Sequence, residues 1–95
     1  ELRLFIGDTK SWNMTYALEC FKLLLEYSFK KLNLHKVTAG ANVENKNSWK
    51  IIERIGFVKE GTIRDTIYRN GKYYDAYFYS ILRNEYQKIY DSKSK

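Results

Sequence analysis

The sequence predicts a mixed α/β domain in which a strand, a helix, a second strand, a second helix and a hairpin follow one another. Apolar residues recur at three- and four-residue steps between positions 14 and 32, which is the period of a helix packed on one side. The residues of this predicted buried face are Met14, Ala17, Leu18, Phe21, Leu24, Leu25 and Leu32. The stretch from Asn45 to Gly56 has the same spacing. Asn70-Gly71 then separates two runs rich in Val, Ile and Tyr, and this dipeptide is the strongest short-range hairpin signal. These observations define the class and the element order.

The first strand is predicted at residues 2–6, Leu-Arg-Leu-Phe-Ile, and residues 7–10 form the break after it. The helix that follows begins at Met14 and runs for about five turns. Glu26 and Lys30 can form an i,i+4 pair near its end, and Asn33 can close it.

The second strand is predicted at residues 35–41, where Ala and Gly dilute its strand propensity. Asn45 can cap a second helix, because asparagine is a preferred N-cap residue. Gly56 can end that helix in the left-handed conformation. Each of the two helices joins one strand to the next, so the sequence predicts neighbouring strands that start parallel.

The hairpin strands are predicted at residues 58–68 and 73–82, and they add an antiparallel edge to the sheet. A short helix at residues 84–90 completes the domain. We assign residues 1–90 to one domain and residues 91–95 to a frayed tail.

Composition narrows the classes of function. The chain has 95 residues, no proline and 44% hydrophobic residues, which is typical of an ordered globular domain. Its longest apolar run is far below the ~20 residues that span a bilayer, and nothing at the start resembles a cleavable signal, so we expect a cytoplasmic protein without a membrane partner. One cysteine excludes an internal disulfide and a cysteine-rich metal site. The net charge of +6 comes from scattered lysines, and a nucleic-acid partner is therefore not favoured.

Three segments together resemble the C-terminal half of the GNAT superfamily of acetyl-CoA-dependent N-acetyltransferases, in particular its ribosomal-protein and polyamine acetylase branches. They are FIGDTKSWNMTYALECFKLLLEYSF, LNLHKVTAGANVENKNSWKIIERIGF and EGTIRDTIYRNGKYYDAYFYSILRNEY. The resemblance implies the family fold and acetyl transfer from acetyl-CoA to a primary amine, such as a protein N-terminus or a polyamine. The alternative is a non-catalytic, self-associating remnant with weak or no CoA binding.

In the family, the amides of one loop bind the cofactor pyrophosphate. The sequence pattern of that loop is Arg or Gln, then two residues, Gly, one residue, and Gly or Ala. On this chain the first position falls on Trp12, the first Gly on Thr15 and the last position on Ala17. Only Ala17 keeps the pattern, and the Cβ of Thr15 can obstruct the close approach of a phosphate. The cofactor-binding residues implied by the resemblance at this loop are Trp12, Asn13, Met14, Thr15, Tyr16 and Ala17.

The start of the second helix supplies the remaining candidates. The resemblance implies that Asn45 contacts the pantetheine arm and that Ser48 protonates the departing CoA thiolate. Asn45 followed by a polar residue three positions later is equally the pattern of an ordinary helix cap, and the residues alone leave both readings open. Many relatives place a tyrosine proton donor one turn further on, where this chain has Ile52.

Other polar residues are weaker candidates. His35, at a strand start, is expected at the surface, and Cys20 is expected to be packed or tolerated on its helix. Asp75 and the alternating tyrosines of the last strand can line an acceptor pocket or, more commonly, pack against the sheet. Those tyrosines are Tyr73, Tyr77 and Tyr79.

The resemblance covers only the second half of the family domain, whose first half supplies part of the sheet and often the general base. We therefore expect the chain as given to be incomplete for catalysis. A sheet that starts at Leu2 without its family neighbours has an unpaired edge, which predicts a homodimer or a complex with a complementing N-terminal half.

Overall fold

The structure is a computed structural model that describes residues 2–6 and 13–91. Strand β1 (Leu2–Ile6) is followed by α1 (Met14–Glu26), β2 (Lys36–Asn42) and α2 (Lys46–Ile55). The hairpin of β3 (Val58–Arg69) and β4 (Lys72–Leu82) leads to the short helix α3 (Arg83–Tyr86). Helices α1 and α3 continue as π-helical segments, Tyr27–Lys31 and Gln87–Asp91. The predicted class and element order are confirmed.

The strands of the described residues form a four-stranded sheet in the order β1-β2-β4-β3. Strands β1 and β2 are parallel, with Leu2 opposite Val37, whereas β4 is antiparallel to both β2 and β3. The first predicted crossover therefore joins parallel neighbours. The second does not, because β4 lies between β2 and β3, and the expectation that these two strands are neighbours is wrong.

The hydrophobic core lies between one face of the sheet and the helices. On β2, residues 37, 39 and 41 face the helices, and their cross-strand partners on β4 at 81, 79 and 77 lie on the same face. Small side chains on β2 leave room for the larger residues of α1 and α2. The core consists of Ala17, Phe21, Leu25, Phe29, Val37, Ala39, Ala41, Ile51, Ile52, Ile55, Phe57, Tyr79, Ile81 and Tyr86.

The first helix ends differently from the prediction. The predicted Glu26–Lys30 pair is present at 3.9 Å, and Asn33 has a φ of 56°, as expected for a residue that closes a helix. However, the last turn is π-helical, and the buried Ser28 hydroxyl donates to the Leu24 carbonyl oxygen at 2.8 Å. A π turn contains more residues than an α turn, which changes the direction of later side chains. Leu32, assigned to the buried face by its spacing, is 48% exposed.

The hairpin and the C-terminal segment agree more closely with the sequence. Asn70 and Gly71 have φ values of 54° and 75°, the signs that a type I′ turn requires. Strand β3 is an irregular edge strand, with register shifts between Lys59 and Gly61 and between Ile63 and Ile67. Tyr86 packs on Phe29, with ring centroids 5.0 Å apart, which holds the C-terminal segment against the end of α1.

Candidate functional site

The start of α1 is closed by a side-chain cap. Asn13 Oδ1 accepts hydrogen bonds from the backbone N of Thr15 at 2.8 Å and of Tyr16 at 3.3 Å. The backbone N of Ala17 donates to the Asn13 carbonyl oxygen at 2.9 Å, which is the first bond of the helix. Met14 is half-buried, Thr15 and Tyr16 are exposed, and Ala17 packs in the core.

This geometry bears on the predicted phosphate loop. A free helix start offers its first N–H groups to an anion, but here Asn13 engages two of them. Thr15 lies inside α1 with a negative φ, so a β-branched residue is not strained there. Hydrogen bonding with the Cys20 side chain raises the pKa of Tyr16. Trp12 lies outside the described residues, and its predicted role stays a prediction.

The turn between β2 and α2 is held by a set of backbone and side-chain hydrogen bonds. Asn45 N donates to the Asn42 carbonyl oxygen at 2.9 Å, and Glu44 N donates to Asn42 Oδ1 at 2.9 Å. Val43 N donates to the Asp75 carbonyl oxygen of β4 at 3.0 Å. The turn is thereby fixed both internally and to the sheet.

Asn45 is the N-cap of α2, as its sequence position predicts. Its Oδ1 accepts from Ser48 N at 3.3 Å, and its carbonyl oxygen accepts from the same N–H at 3.0 Å. Asn45 is half-buried, whereas Ser48 is 0% exposed. The capping role is confirmed; the roles implied by resemblance, cofactor contact for Asn45 and proton donation for Ser48, stay predictions.

The topology places the two helix starts at the same end of the sheet, where β1 and β2 have their carboxyl ends. Strands β1 and β2 are parallel, and α1 and α2 each follow the carboxyl end of one of them. Both helices contribute to the core on the same side of the sheet. In α/β sheets, the carboxyl ends of neighbouring parallel strands are where ligands bind. The candidate cofactor residues of α1 and of α2 therefore lie at this same end of the sheet.

Trp49, in the first turn of α2, lies near this end of the sheet and was not predicted from the sequence as a site residue. Its indole Nε1 donates to the Val43 carbonyl oxygen at 3.1 Å, and its ring meets that of Tyr77 edge to face at 5.6 Å. A lone tryptophan in the first turn of an otherwise polar helix start was the available signal.

The other candidates have structural positions. His35 and Cys20 are exposed, and the His35 carbonyl oxygen accepts from Arg83 N at 2.8 Å. Tyr79 is fully buried and donates to Glu53 Oε2 at 2.7 Å. Of the other two tyrosines, Tyr77 is half-buried and Tyr73 is exposed, so burial decreases along β4 towards the hairpin turn.

Residues 2–6 and 13–91 contain no group of three or more His, Cys, Asp or Glu side chains that could hold a metal ion. Within the same residues, no helix has both the length and the apolar character that a membrane span requires.

Comparison with known proteins identifies the family. Residues 1–58 match the family model described as an acetyltransferase (GNAT) domain. The chain therefore belongs to the GNAT acetyltransferase family, as its sequence segments suggest.

Individual relatives and solved structures agree with this assignment. The putative ribosomal N-acetyltransferase YdaF of Bacillus subtilis is 42% identical over 64 residues, which are 67% of this chain and 35% of that protein. The spermidine N(1)-acetyltransferase of Vibrio cholerae is 40% identical over 71 residues, 75% of this chain and 41% of that protein. Crystal structures of mutant forms of the spermidine/spermine N-acetyltransferase SpeG from Vibrio cholerae align at a TM-score of 0.79 and 32% identity, covering 90% of this chain and 51% of that chain. The chain thus spans about half of these proteins or less.

Proposed function

We propose that this chain forms the cofactor-binding part of an N-acetyltransferase that transfers acetyl from acetyl-CoA to a primary amine, such as a polyamine or a protein N-terminus. The observation that carries the proposal is that α1 and α2 both start at the same end of the sheet, where each follows one of two parallel strands. Family membership and the names of the relatives support the reaction class.

The proposed binding residues divide between the two helix starts. The backbone amides of residues 13–17, together with Trp12, would bind the pyrophosphate once the Asn13 side chain turns away from Thr15 and Tyr16. Asn45 would bind the pantetheine arm. The residues present fit this assignment, because helix N–H groups and an amide side chain are the donors that phosphate and amide oxygens require.

The proposed reaction is direct transfer. The amine nitrogen would attack the acetyl carbonyl carbon, the carbon–sulfur bond would break, and the CoA thiolate would leave. The proton that the amine loses would pass to solvent water, from which Ser48 is reprotonated at the end of the cycle. Ser48 would give its hydroxyl proton to the thiolate. Because Ser48 is fully buried, this role requires the first turn of α2 to open.

A second candidate function is favoured by the same two side chains. Asn13 engages amides of the phosphate loop, and Ser48 is buried under the start of α2, as in a domain that keeps the fold without the activity. The second candidate is therefore a non-catalytic, self-associating module of the family.

Calorimetric titration distinguishes the two candidates. Acetyl-CoA binding at micromolar strength supports the acetyltransferase, whereas no heat at millimolar ligand refutes it and supports the non-catalytic module. Acetyl-pantetheine, which lacks the pyrophosphate, is the matched control ligand. If the start of α1 binds phosphate, acetyl-pantetheine binds more weakly than acetyl-CoA, and the difference decreases as salt is added.

We extend the proposal to assembly, as a homodimer or a complex with a complementing N-terminal half. Strand β1 is one edge of the described sheet, and the described helices all pack on one face. The opposite edge, β3, is a poor template because of its register shifts and its charged residues. We therefore expect the contact at β1. A mass near 11.4 kDa by light scattering, with a cooperative melt, would contradict this expectation.

A further inference from the structure

The turn from β2 to α2 is short, and the backbone groups of Val43 within it are bonded to other elements. Only Val43, Glu44 and Asn45 separate the last residue of β2 from the first residue of α2. The N–H of Val43 is bonded to β4, through the Asp75 carbonyl oxygen at 3.0 Å. The carbonyl oxygen of Val43 is bonded to the Trp49 indole at 3.1 Å. Both polar backbone groups of Val43 therefore have fixed partners.

The Trp49 ring is itself held in place by aromatic and cationic contacts. Its ring lies 5.6 Å from that of Tyr77 at an interplanar angle of 85°, an edge-to-face arrangement. The Lys59 Nζ lies 3.6 Å from the centroid of the Tyr77 ring and 5.9 Å from that of Trp49. An ammonium group over aromatic faces is attracted by their quadrupoles. The indole therefore cannot rotate without losing contacts to β3 and β4.

The direction of the Val43 carbonyl affects the cap two residues later. That carbonyl lies in the peptide plane that leads into Glu44, and Asn45 then takes φ −93° and ψ 77°, outside the helical region. In this conformation the Asn45 side chain accepts from Ser48 N and stays half-buried at the edge of the sheet. Because only Glu44 lies between them, a rotation of the Val43 peptide plane would also displace the Asn45 amide.

We infer that Trp49 is a positioning residue, whose indole N–H fixes the β2–α2 turn and thereby holds Asn45 in the orientation that binds the cofactor arm. The part about the cofactor arm rests on the proposed function, whereas the part about the turn rests only on the contacts described above. Trp49 acts through Val43 and Asn45 and has no contact with the reacting atoms in this role.

Hydrogen exchange tests the turn without any ligand. Trp49→Phe keeps an aromatic ring but removes the N–H, and we expect the amides of Asn45 and Ser48 to exchange roughly two- to tenfold faster, the range expected for one lost hydrogen bond. Tyr79→Phe is the matched control. It also removes one aromatic donor, because the Tyr79 hydroxyl donates to Glu53. Glu53 lies on α2, as Trp49 does, but away from the turn. It should leave exchange of Asn45 and Ser48 unchanged.

A second variant separates the N–H from the packing of the larger ring. Benzothienylalanine at position 49, introduced by chemical synthesis, has sulfur in place of the N–H and nearly the shape of tryptophan. Faster exchange at Asn45 and Ser48 in this variant supports the inference. Exchange equal to that of the unmodified chain overturns it, including when Trp49→Phe fails to fold.

Titration with acetyl-pantetheine then tests the link to Asn45. We expect the benzothienyl variant to bind this probe several-fold more weakly, and Tyr79→Phe to bind it as the unmodified chain does. If the unmodified chain binds neither acetyl-CoA nor acetyl-pantetheine, the proposed function fails, and the exchange rates still decide whether Trp49 holds the turn. Faster exchange with unchanged affinity overturns the positioning role toward the cofactor and leaves the proposed function intact.

Discussion

Asn13 Oδ1 lies 2.8 Å from the backbone N of Thr15 and also accepts from Tyr16 N, so the start of α1 is capped by its own preceding residue. A pyrophosphate bound at this helix start would need the same N–H groups. If the chain binds CoA as proposed, cap and ligand would compete for the same donors, and the affinity for CoA would depend on how easily Asn13 releases them.

Replacing the cap tests this competition. In Asn13→Ala we expect tighter CoA binding, because the competing acceptor is gone, together with a loss of about 1 kcal/mol in the free energy of unfolding. Calorimetry and a thermal melt measure the two effects. The control is Glu85→Ala, which removes the Oε1 that accepts from Leu82 N at 2.9 Å, away from the site. Glu85→Ala should lower stability and leave CoA affinity unchanged. Weaker CoA binding in Asn13→Ala would contradict the competition.

The Cβ of Thr15 is tested by a pair of substitutions. Thr15→Gly removes the Cβ where the family has glycine, and we expect its CoA dissociation constant to fall. Thr15→Ala keeps the Cβ and should bind as the unmodified chain does. Because Thr15 lies in α1, the glycine variant should also be less stable than the alanine variant by about 1 kcal/mol. Equal affinities in the two variants would show that the Cβ is not the obstacle.

Ser48→Ala tests the proposed proton donor. In a complete enzyme that contains this chain, we expect turnover of acetyl-CoA with an amine acceptor to fall about 10²-fold or more, the usual contribution of general acid catalysis, with little change in CoA affinity. Ser48→Cys, which keeps a small side chain with an ionisable proton, is the control and should retain more activity than the alanine variant. Equal turnover in Ser48→Ala and the unmodified chain would leave Ser48 only its place at the helix start.

Gly56 ends α2 with a φ of 120°, a conformation that side chains rarely adopt. We expect Gly56→Ala to lower the free energy of unfolding by about 1–3 kcal/mol. A Cβ there would also lie 2.6 Å from Ile89 Cδ1, the end of a flexible side chain, so Gly56→Ala combined with Ile89→Ala should recover only a small part of the loss. The control is Gly61→Ala, where a Cβ has no atom within 4 Å. Chemical denaturation measures the free energy of unfolding of all three variants. If Gly56→Ala unfolds with the same free energy as the unmodified chain, the backbone strain is refuted.

Tyr79 should make the folding stability of the chain depend on pH in the alkaline range. Burial and its hydrogen bond to Glu53 raise the pKa of Tyr79 well above the ordinary value of 10.0. The folded state therefore holds this proton when the unfolded state has lost it, and stability should fall as pH rises above about 10. Tyr79→Phe should show a shallower decline in this range, in melts recorded from pH 8 to 11. Parallel declines in both proteins would contradict the assignment.

Local features were predictable from the sequence because a few neighbouring residues determine them. The caps and turns at Asn45, Gly56 and Asn70-Gly71 depend on backbone conformations that these residue types favour. The helical spacing likewise identified Ala17 and Phe21 as core residues. The resemblance added the family.

Features that depend on distant segments were not predictable. The position of β4 between β2 and β3 is decided by packing across the whole sheet, and helix spacing carries no information about it. The exposure of Leu32 follows from the π-helical turn. The bond from Trp49 to Val43 depends on how the intervening turn folds back, and the sequence around it shows only an asparagine and a tryptophan at helix positions.

The hairpin turn at Asn70-Gly71 has a practical consequence for engineering. A Cβ at Gly71 would have no atom within 4 Å, and the flanking pair Arg69 and Lys72 closes the ladder before the turn. This exposed turn is where the chain could carry an inserted peptide, such as an epitope or a fluorescent label. The turn between Asn42 and Asn45 is the opposite case, since any added residue there would break bonds to β4 and to Trp49.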